Sequence, residues 1–156
     1  DCLANVLMNE NNFSEEDFAQ YHPGGTIGKK LDFEVKDLIN GKIDPVDPEI
    51  SLIEASLRIS EGEKGIVAVV DDSNQVLGVV TDGDLRREIG KGTNAKQTNI
   101  QQVMTTNPVT MPENQPAIDA LKTMERKDIG QIVLVDESNK YNGIVHMRDL
   151  VREGIT

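Results

Sequence analysis

Tryptophan is absent from this sequence, and its aromatics amount to three Phe and two Tyr. A core therefore has to be assembled from Val, Ile, Leu, Met and Ala. Cysteine is represented by Cys2 alone, which excludes an internal disulfide framework and a Cys-rich metal site and fits a reducing cytoplasm. No metal and no resident cofactor are expected. Long apolar runs are missing too. The longest are strand-sized, such as IVAVV at 66–70, against the roughly 20 residues a membrane helix needs. Positive charge is in deficit, with 16 Lys and Arg against 27 Asp and Glu and a formal net charge of −11. That balance repels nucleic-acid backbones and anionic membranes, so both are discounted as partners. It leaves room for a small anionic ligand, because a few local arginines and helix N-termini can hold one phosphate. An initiator Met and a signal-peptide pattern are also lacking, and the opening residues DCLANVLM read as the inside of an amphipathic helix. The chain is thus expected to be a piece of a longer protein.

What is present is a duplication. GVVTDGDLRRE at 78–88 returns as GIVHMRDLVRE at 143–153, an offset of 65 residues with six of eleven positions identical. The offset holds without a gap: Gly65 faces Gly130, Asp71 faces Asp136, Ser73-Asn74 faces Ser138-Asn139, Ile53 faces Ile118 and Ala55 faces Ala120. A fixed internal period of this kind decides the architecture before any single residue does.

Each unit reads alike. A short helical or irregular lead-in (35–40; 100–105) precedes a brief extended piece around Val46 or 109–111, then an amphipathic helix. In the first copy Ser51 stands three residues before Glu54, a capping-box signature; the second helix is expected to open near Asn114. Leu52, Ala55 and Ile59, and Ala117, Ile118, Leu121 and Met124, have helical spacing. Two β-rich runs follow, joined by the polar turns DSN and ESN, which read as plain hairpin connections. A short helix closes each unit, at 84–89 and 148–153. The order is β-α-β-β-α twice, an α/β (α+β) arrangement. One unit of about 60 residues buries only a marginal core. Two units packed sheet to sheet are expected to bury one shared core with approximate two-fold symmetry. The division is 1–34 as a leading segment, 35–92 and 100–156 as the repeats, and 93–99 as a polar, unpatterned linker.

Tandem β-α-β-β-α units, each ending G-h-h-[T/S]-x-x-D-L with h apolar, resemble the CBS-domain pair, or Bateman module, over residues 35–154. Gly78 to Leu85 matches that pattern fully; Gly143 to Leu150 keeps the Gly and the Asp but has His146 where Thr is usual. The resemblance implies a cleft in each unit for an adenosine- or nucleotide-like ligand. On that reading the Asp84 carboxylate, beside the Thr81 hydroxyl, accepts two hydrogen bonds from a ribose diol. Arg86, Arg87, Arg148 or Arg152, with backbone N–H groups of the short helices, meet phosphates, and Val46, Ile66 and Val67 flank a base. Asp149 and His146 take the corresponding places in the second cleft. The plainer alternative is that Thr81 and Asp84 cap the closing helix. His146, Met147 and Arg148 stand where the first copy has Thr81, Asp82 and Gly83, so the second site is either lost or chemically different.

Residues 1–31 add a second pattern. Leu3, Val6 and Leu7 suggest a short helix, and Ser14 with Asp17 three residues on caps a second one at 15–21. His22-Pro23-Gly24-Gly25 follows, then TIGKKL. The combination D-x-L-A … F-x-x-x-D-F-A-x-x-H-P-G-G-x-x-G-K-K-L directly before a CBS pair resembles the C-terminal part of the D-arabinose 5-phosphate isomerases, which join a sugar-isomerase (SIS) domain to a CBS pair. That resemblance implies a parent enzyme interconverting D-arabinose 5-phosphate and D-ribulose 5-phosphate, an early step toward the Kdo sugar of lipopolysaccharide. It also implies a catalytic role for His22, since moving a proton between C1 and C2 needs a group titrating near neutrality. The rest of that site is missing here, so this chain alone is expected to be inactive. The expected partners are a regulatory nucleotide or nucleotide-sugar, the chain's own SIS domain and a second copy of the pair, in the cytoplasm. The rival reading is a structural dimerisation module with no physiological ligand.

Overall fold

Each repeat is built around one long helix. The computed structural model describes residues 33–39, 41 and 43–155. In chain order the elements are a 3-10 turn (Val35–Leu38), helix α1 (Leu52–Gly62), strands β1 (Ile66–Val70) and β2 (Val76–Thr81), helix α2 (Asp82–Gly90), a second 3-10 turn (Ile100–Gln102), strands β3 (Thr105–Thr106) and β4 (Thr110–Pro112), helix α3 (Ala117–Lys127), strands β5 (Gln131–Val135) and β6 (Tyr141–His146), and helix α4 (Met147–Arg152). They form two three-stranded sheets, β1-β2-β3 and β4-β5-β6. The hairpins β1–β2 and β5–β6 share one register, with Ile66 opposite Thr81 and Gln131 opposite His146.

The start of α1 follows its sequence. Ser51 Oγ accepts from the Glu54 N–H at 3.2 Å, and the Glu54 carboxylate accepts from the Ser51 N–H at 2.9 Å, closing the expected capping box. Leu52, Ala55 and Ile59 turn inward. Helix α3 departs from expectation. It starts after Pro116 rather than near Asn114 and has no side-chain cap. The reason is tertiary: the lead-in of the first repeat lies against this corner. Val35 N–H donates to Gln115 O at 2.8 Å, and Ala117 N–H donates to Phe33 O at 2.8 Å. A neighbouring chain segment thus satisfies a donor that a cap would otherwise serve.

The same exchange runs in the other direction. Ile100 N–H donates to Ile50 O at 3.0 Å, Leu52 N–H to Thr98 O at 3.1 Å and Ile53 N–H to Ala95 O at 3.2 Å. The polar stretch before the second repeat is therefore tied to the start of α1, and Ala95 packs on the first core. Strand β3, which lies in the second repeat's lead-in, pairs with β2 of the first. Gly78 makes this possible. A Cβ there would sit 2.8 Å from the Thr105 carbonyl oxygen and 2.8 Å from Met104 Sδ. Its counterpart Gly143 faces Ile39 of the other lead-in, whose Cδ1 would lie 3.0 Å from an added Cβ. The glycine that opens both motifs is thus a seat for the partner repeat's lead-in.

The expectation of one shared core is corrected to three clusters. One lies in the first repeat and contains Val46, Leu52, Ile59, Val67 and the incoming Ile100. A second lies in the other repeat and contains Met124, Ile132, Leu150 and the incoming Val35 and Leu38. The third lies between the sheets and joins Ile43, Ile66, Ala68 and Val79 to Val133, Tyr141 and Ile144. Tyr141 donates its hydroxyl to Ile43 O at 2.6 Å, and burial pushes its pKa well up, so it stays a neutral donor. The hairpin turns are copies of each other. Asp71 Oδ1 accepts from the Ser73 and Gln75 N–H groups, and Asp136 Oδ1 accepts from those of Ser138 and Lys140. The turns also bond to one another, with Asn74 Nδ2 donating to Tyr141 O at 3.0 Å and Tyr141 N–H donating to Asn74 O at 2.9 Å.

Candidate functional site

The strand-to-helix corner of the first repeat places Thr81 as the residue before α2 and Asp84 in its first turn. The Thr81 N–H and hydroxyl donate to Asp84 Oδ2 at 2.8 and 2.7 Å, and the Asp84 N–H returns a bond to Thr81 Oγ1 at 3.3 Å. The helix-capping role is therefore present. The other carboxylate oxygen, Oδ1, accepts from the Arg87 guanidinium, which reaches back from the next turn of the same helix. Arg87 lies across Gly83, where an added Cβ would meet its Nη1 at 3.3 Å. This arginine side chain is 67% exposed while the Asp84 side chain is 10% exposed, so the ion pair closes the carboxylate from the solvent side.

The second corner keeps the frame with different parts. His146 N–H donates to Asp149 Oδ2 at 2.9 Å, and Arg148 N–H donates to His146 Nδ1 at 2.9 Å. The imidazole nitrogen thus replaces the missing hydroxyl as acceptor, and with Nδ1 accepting, the ring proton sits on Nε2. Burial, Arg148 and Lys64 hold the His146 pKa below its ordinary value against the opposing pull of Asp149, which keeps the ring neutral.

Lys64 is the residue that sequence reasoning missed. It sits in the turn between α1 and β1, in the first repeat, and its ammonium donates to Asp149 Oδ2 at 2.9 Å and to Ile144 O at 2.8 Å. Both side chains of the pair are under a tenth exposed, at 8% and 6%. Arg148 leans the same way, donating to Glu63 O at 3.1 Å, and Gln131 Nε2 donates to Lys64 O at 3.0 Å. A signal for Lys64 did exist. At the repeat offset it stands where the second copy has Ile129, so a charge occupies a position that its twin fills with an apolar side chain. A cavity of about 350 Å³ opens here, lined by Glu63, Lys64, His146, Arg148, Asp149 and Arg152 beside Gly62.

Of the apolar trio expected to flank a base, Ile66 is the strand partner of Thr81 and Val67 that of Val80. Val67 is fully buried in the first core, and Ile66 is buried between the sheets. Val46 pairs with Val69 and edges a different cavity of about 350 Å³, with Asp47, Ile50, Glu54 and Leu57 among its walls. Arg86 is exposed on α2. His22 lies outside the described residues. Among the described residues no group of His, Cys, Asp and Glu could hold a metal ion, and no helix is long and apolar enough to cross a membrane.

The CBS domain pattern matches residues 35–91 and again 100–155. This chain belongs to the CBS domain family. It is 38% identical to the arabinose 5-phosphate isomerase KdsD of Yersinia pestis over 157 residues, which is 99% of this chain and 48% of that protein. With the arabinose 5-phosphate isomerase KpsF of Escherichia coli it shares 33% identity over 149 residues, 96% of this chain and 46% of that one. The chain thus spans about half the length of the curated relatives it matches. Among solved structures, the CBS domain protein PAE2072 from Pyrobaculum aerophilum complexed with AMP shares the fold with a TM-score of 0.70 at 17% identity, covering 76% of this chain and 90% of that one. The CBS domain pair of protein MJ0100, complexed with 5-methylthioadenosine and S-adenosylmethionine, has a TM-score of 0.66 at 24% identity over 77% of this chain and 98% of that one. The tandem CBS architecture expected from the repeat is the architecture observed.

Proposed function

We propose that this CBS pair is the regulatory, ligand-binding part of an arabinose 5-phosphate isomerase, and that its nucleotide-type ligand is taken by Thr81 and Asp84. The observation that carries the reading is the manner in which Asp84 is neutralised. The Arg87 guanidinium is two-thirds exposed, so water solvates it on release while the ligand takes its place at the carboxylate. A ribose diol can therefore displace Arg87 from Asp84 Oδ1 at little cost, and the released guanidinium is then free for the ligand's phosphate. The capping bonds to Oδ2 hold the carboxylate in place meanwhile. Occupancy would shift the exchanged lead-ins and so bias the domain tethered to them. The nucleosides named with the neighbouring structures and the isomerase names of the relatives both favour this reading. The sugar-phosphate isomerisation itself, with His22 as an acid/base group, belongs to the longer parent; the purified chain should show no turnover of arabinose 5-phosphate.

The test is a thermal-shift panel of AMP, ADP, ATP, S-adenosylmethionine, CMP and CMP-Kdo, with Asp84→Ala in parallel. At a hundred times its Kd a ligand adds about 2.7 kcal/mol of stability. The expected result is a shift with one of these compounds that Asp84→Ala abolishes. A folded protein that none of them shifts favours the second reading, a dimerisation module. That reading draws on the exposed apolar side chains of Ile53 and Leu57 on α1, Ile89 on α2 and Val151 on α4. It predicts a dimer that replacing these residues by Ser dissociates in sedimentation.

A further inference from the structure

The turn that joins α1 to β1 is not a copy of its twin between α3 and β5. Glu63 at φ +55 and Gly65 at φ +70 are both left-handed. Asp128 repeats the first at φ +53, but Gly130 does not share the positive φ of Gly65. The residue between them differs as well. Lys64 is buried and reaches across to the second repeat, whereas Ile129 packs against the core of its own repeat.

The bonds of the two turns follow this difference. The 128–130 turn keeps to its own repeat: Asp128 N–H donates to Glu125 O, Ile129 N–H donates to Met124 O, and Gly130 O accepts from Met147 N–H at 2.8 Å. The 63–65 turn is bonded on two sides. On one side Gly65 O accepts at 3.1 Å from the N–H of Asp82, the first residue of α2, and the next residue, Ile66, is the strand partner of Thr81. On the other side the second repeat holds Glu63 and Lys64. Arg148 donates to Glu63 O, the Lys64 ammonium donates to Asp149 and to Ile144 O, and Gln131 Nε2 donates to Lys64 O. Gly65 lies between these two sets of partners: a Cβ there would stand 3.3 Å from Asp82 Oδ2 and 3.9 Å from Gln131 Nε2.

A displacement of the first turn of α2, which carries Asp84, therefore moves Gly65 and pulls on Lys64. Lys64 cannot yield by itself, because leaving Asp149 would strand two buried charges. An unbroken run of bonded neighbours, Asp82 to Gly65 to Lys64 to Asp149, thus joins the two strand-to-helix corners, and contiguous networks of this kind carry coupling between sites. We propose that the 63–65 turn is a latch through which the two corners set each other's geometry, with Lys64 as its positioning residue. As a regulatory device it rests on the nucleotide-type ligand proposed for Thr81 and Asp84; as a mechanical link it stands without one. The coupling runs through the turn of the first repeat and not through its twin, and it acts in both directions.

Amide NMR of the 156-residue chain tests this. The Asp82 N–H resonance follows the length of its bond to Gly65 O, while a change in overall stability leaves native resonances in place. Asp149→Asn keeps an acceptor for the His146 N–H and removes the charge that holds Lys64. It should shift the Asp82 and Asp84 N–H resonances several-fold more than Arg152→Gln, a change at the same cavity that touches no bond of the turn. Gln131→Leu, which leaves the buried ion pair whole, should shift the same two resonances. Shifts in both variants no larger than those in Arg152→Gln overturn the proposal. Titration with AMP reads the reverse direction. Bound at Asp84, AMP should shift the His146 N–H, which donates to Asp149, and should do so less in Gln131→Leu and not at all in Asp84→Ala. AMP that shifts Asp84 and leaves His146 in place overturns the regulatory role, as does a His146 response that survives Asp84→Ala. Absence of any AMP response counts against the ligand proposed for Asp84, and the Asp149→Asn and Gln131→Leu spectra still decide the latch.

Discussion

Asp84 and Asp149 occupy the same place in their repeats, in the first turn of the closing helix, and both accept the N–H of the residue before that helix. Their counterions differ in origin. Arg87 comes from the helix of Asp84 itself and is two-thirds exposed; Lys64 comes from the other repeat and is buried. Arg87 can be exchanged for a ligand, because water solvates its guanidinium on release and the ligand replaces it at the carboxylate. A buried pair between repeats cannot, because neither charge has anywhere else to go. Duplication thus left one corner with an exchangeable counterion and turned the other into a joint between the two halves.

The largest effect that could break this comparison is on stability. Lys64→Met leaves Asp149 buried without its cation and should cost about 3–5 kcal/mol. Arg87→Met removes a largely exposed cation while Asp84 keeps its capping bonds, and should cost less. Urea unfolding of the two variants reads the difference, and equal losses would mean that the two carboxylates are not held differently. Adding Asp149→Leu to Lys64→Met should recover much of the loss, because it removes the stranded charge as well.

A smaller contrast concerns the two motif glycines. Gly78→Ala drives a methyl against the Thr105 carbonyl oxygen, which belongs to paired backbone, and should cost about 1–3 kcal/mol. Gly143→Ala meets the Ile39 side chain, which can turn away, so its loss should be the lesser in the same assay. If Gly143→Ala proves the more costly, the second lead-in contact is the tighter of the two.

The smallest effect is a pH dependence confined to the second corner. The unfolded chain protonates His146 near the ordinary imidazole value of 6.5, whereas in the fold its pKa is depressed, mainly by burial. Between those two values the unfolded state binds more protons. The stability from neutral His146 is thus complete above the unfolded pKa and is lost as pH falls toward the folded one. Protonation of Nδ1 would also end its acceptance of the Arg148 N–H. Wild type should lose more stability than His146→Gln between about pH 7.5 and about pH 5.5, where imidazole titrates. Parallel curves would remove His146 from the account.

Much of this architecture was legible in the residues. The 65-residue offset, the Ser51–Glu54 box, the helical spacing of Leu52, Ala55 and Ile59 and the Asp-Ser-Asn and Glu-Ser-Asn turns are local patterns, and local patterns are what a sequence displays. Each of them involves residues only a few positions apart, so their geometry follows from backbone and side-chain chemistry alone. The cap at Asn114 was misplaced because residues from the other end of the fold supply the bonds. Ile66 and Val67, expected beside a ligand, are packed into the apolar clusters, a burial that local spacing does not display. By itself the sequence determined two copies of one unit and the acidic residue that opens each closing helix. Only the tertiary structure decided that the lead-ins change places, and that Lys64 crosses 85 residues of chain to neutralise Asp149 but finds no counterpart at Asp84. Burial is a property of the packed pair of repeats, and it is burial of the counterion, near-complete for Lys64 and slight for Arg87, that makes one of these two carboxylates a joint and leaves the other open to exchange.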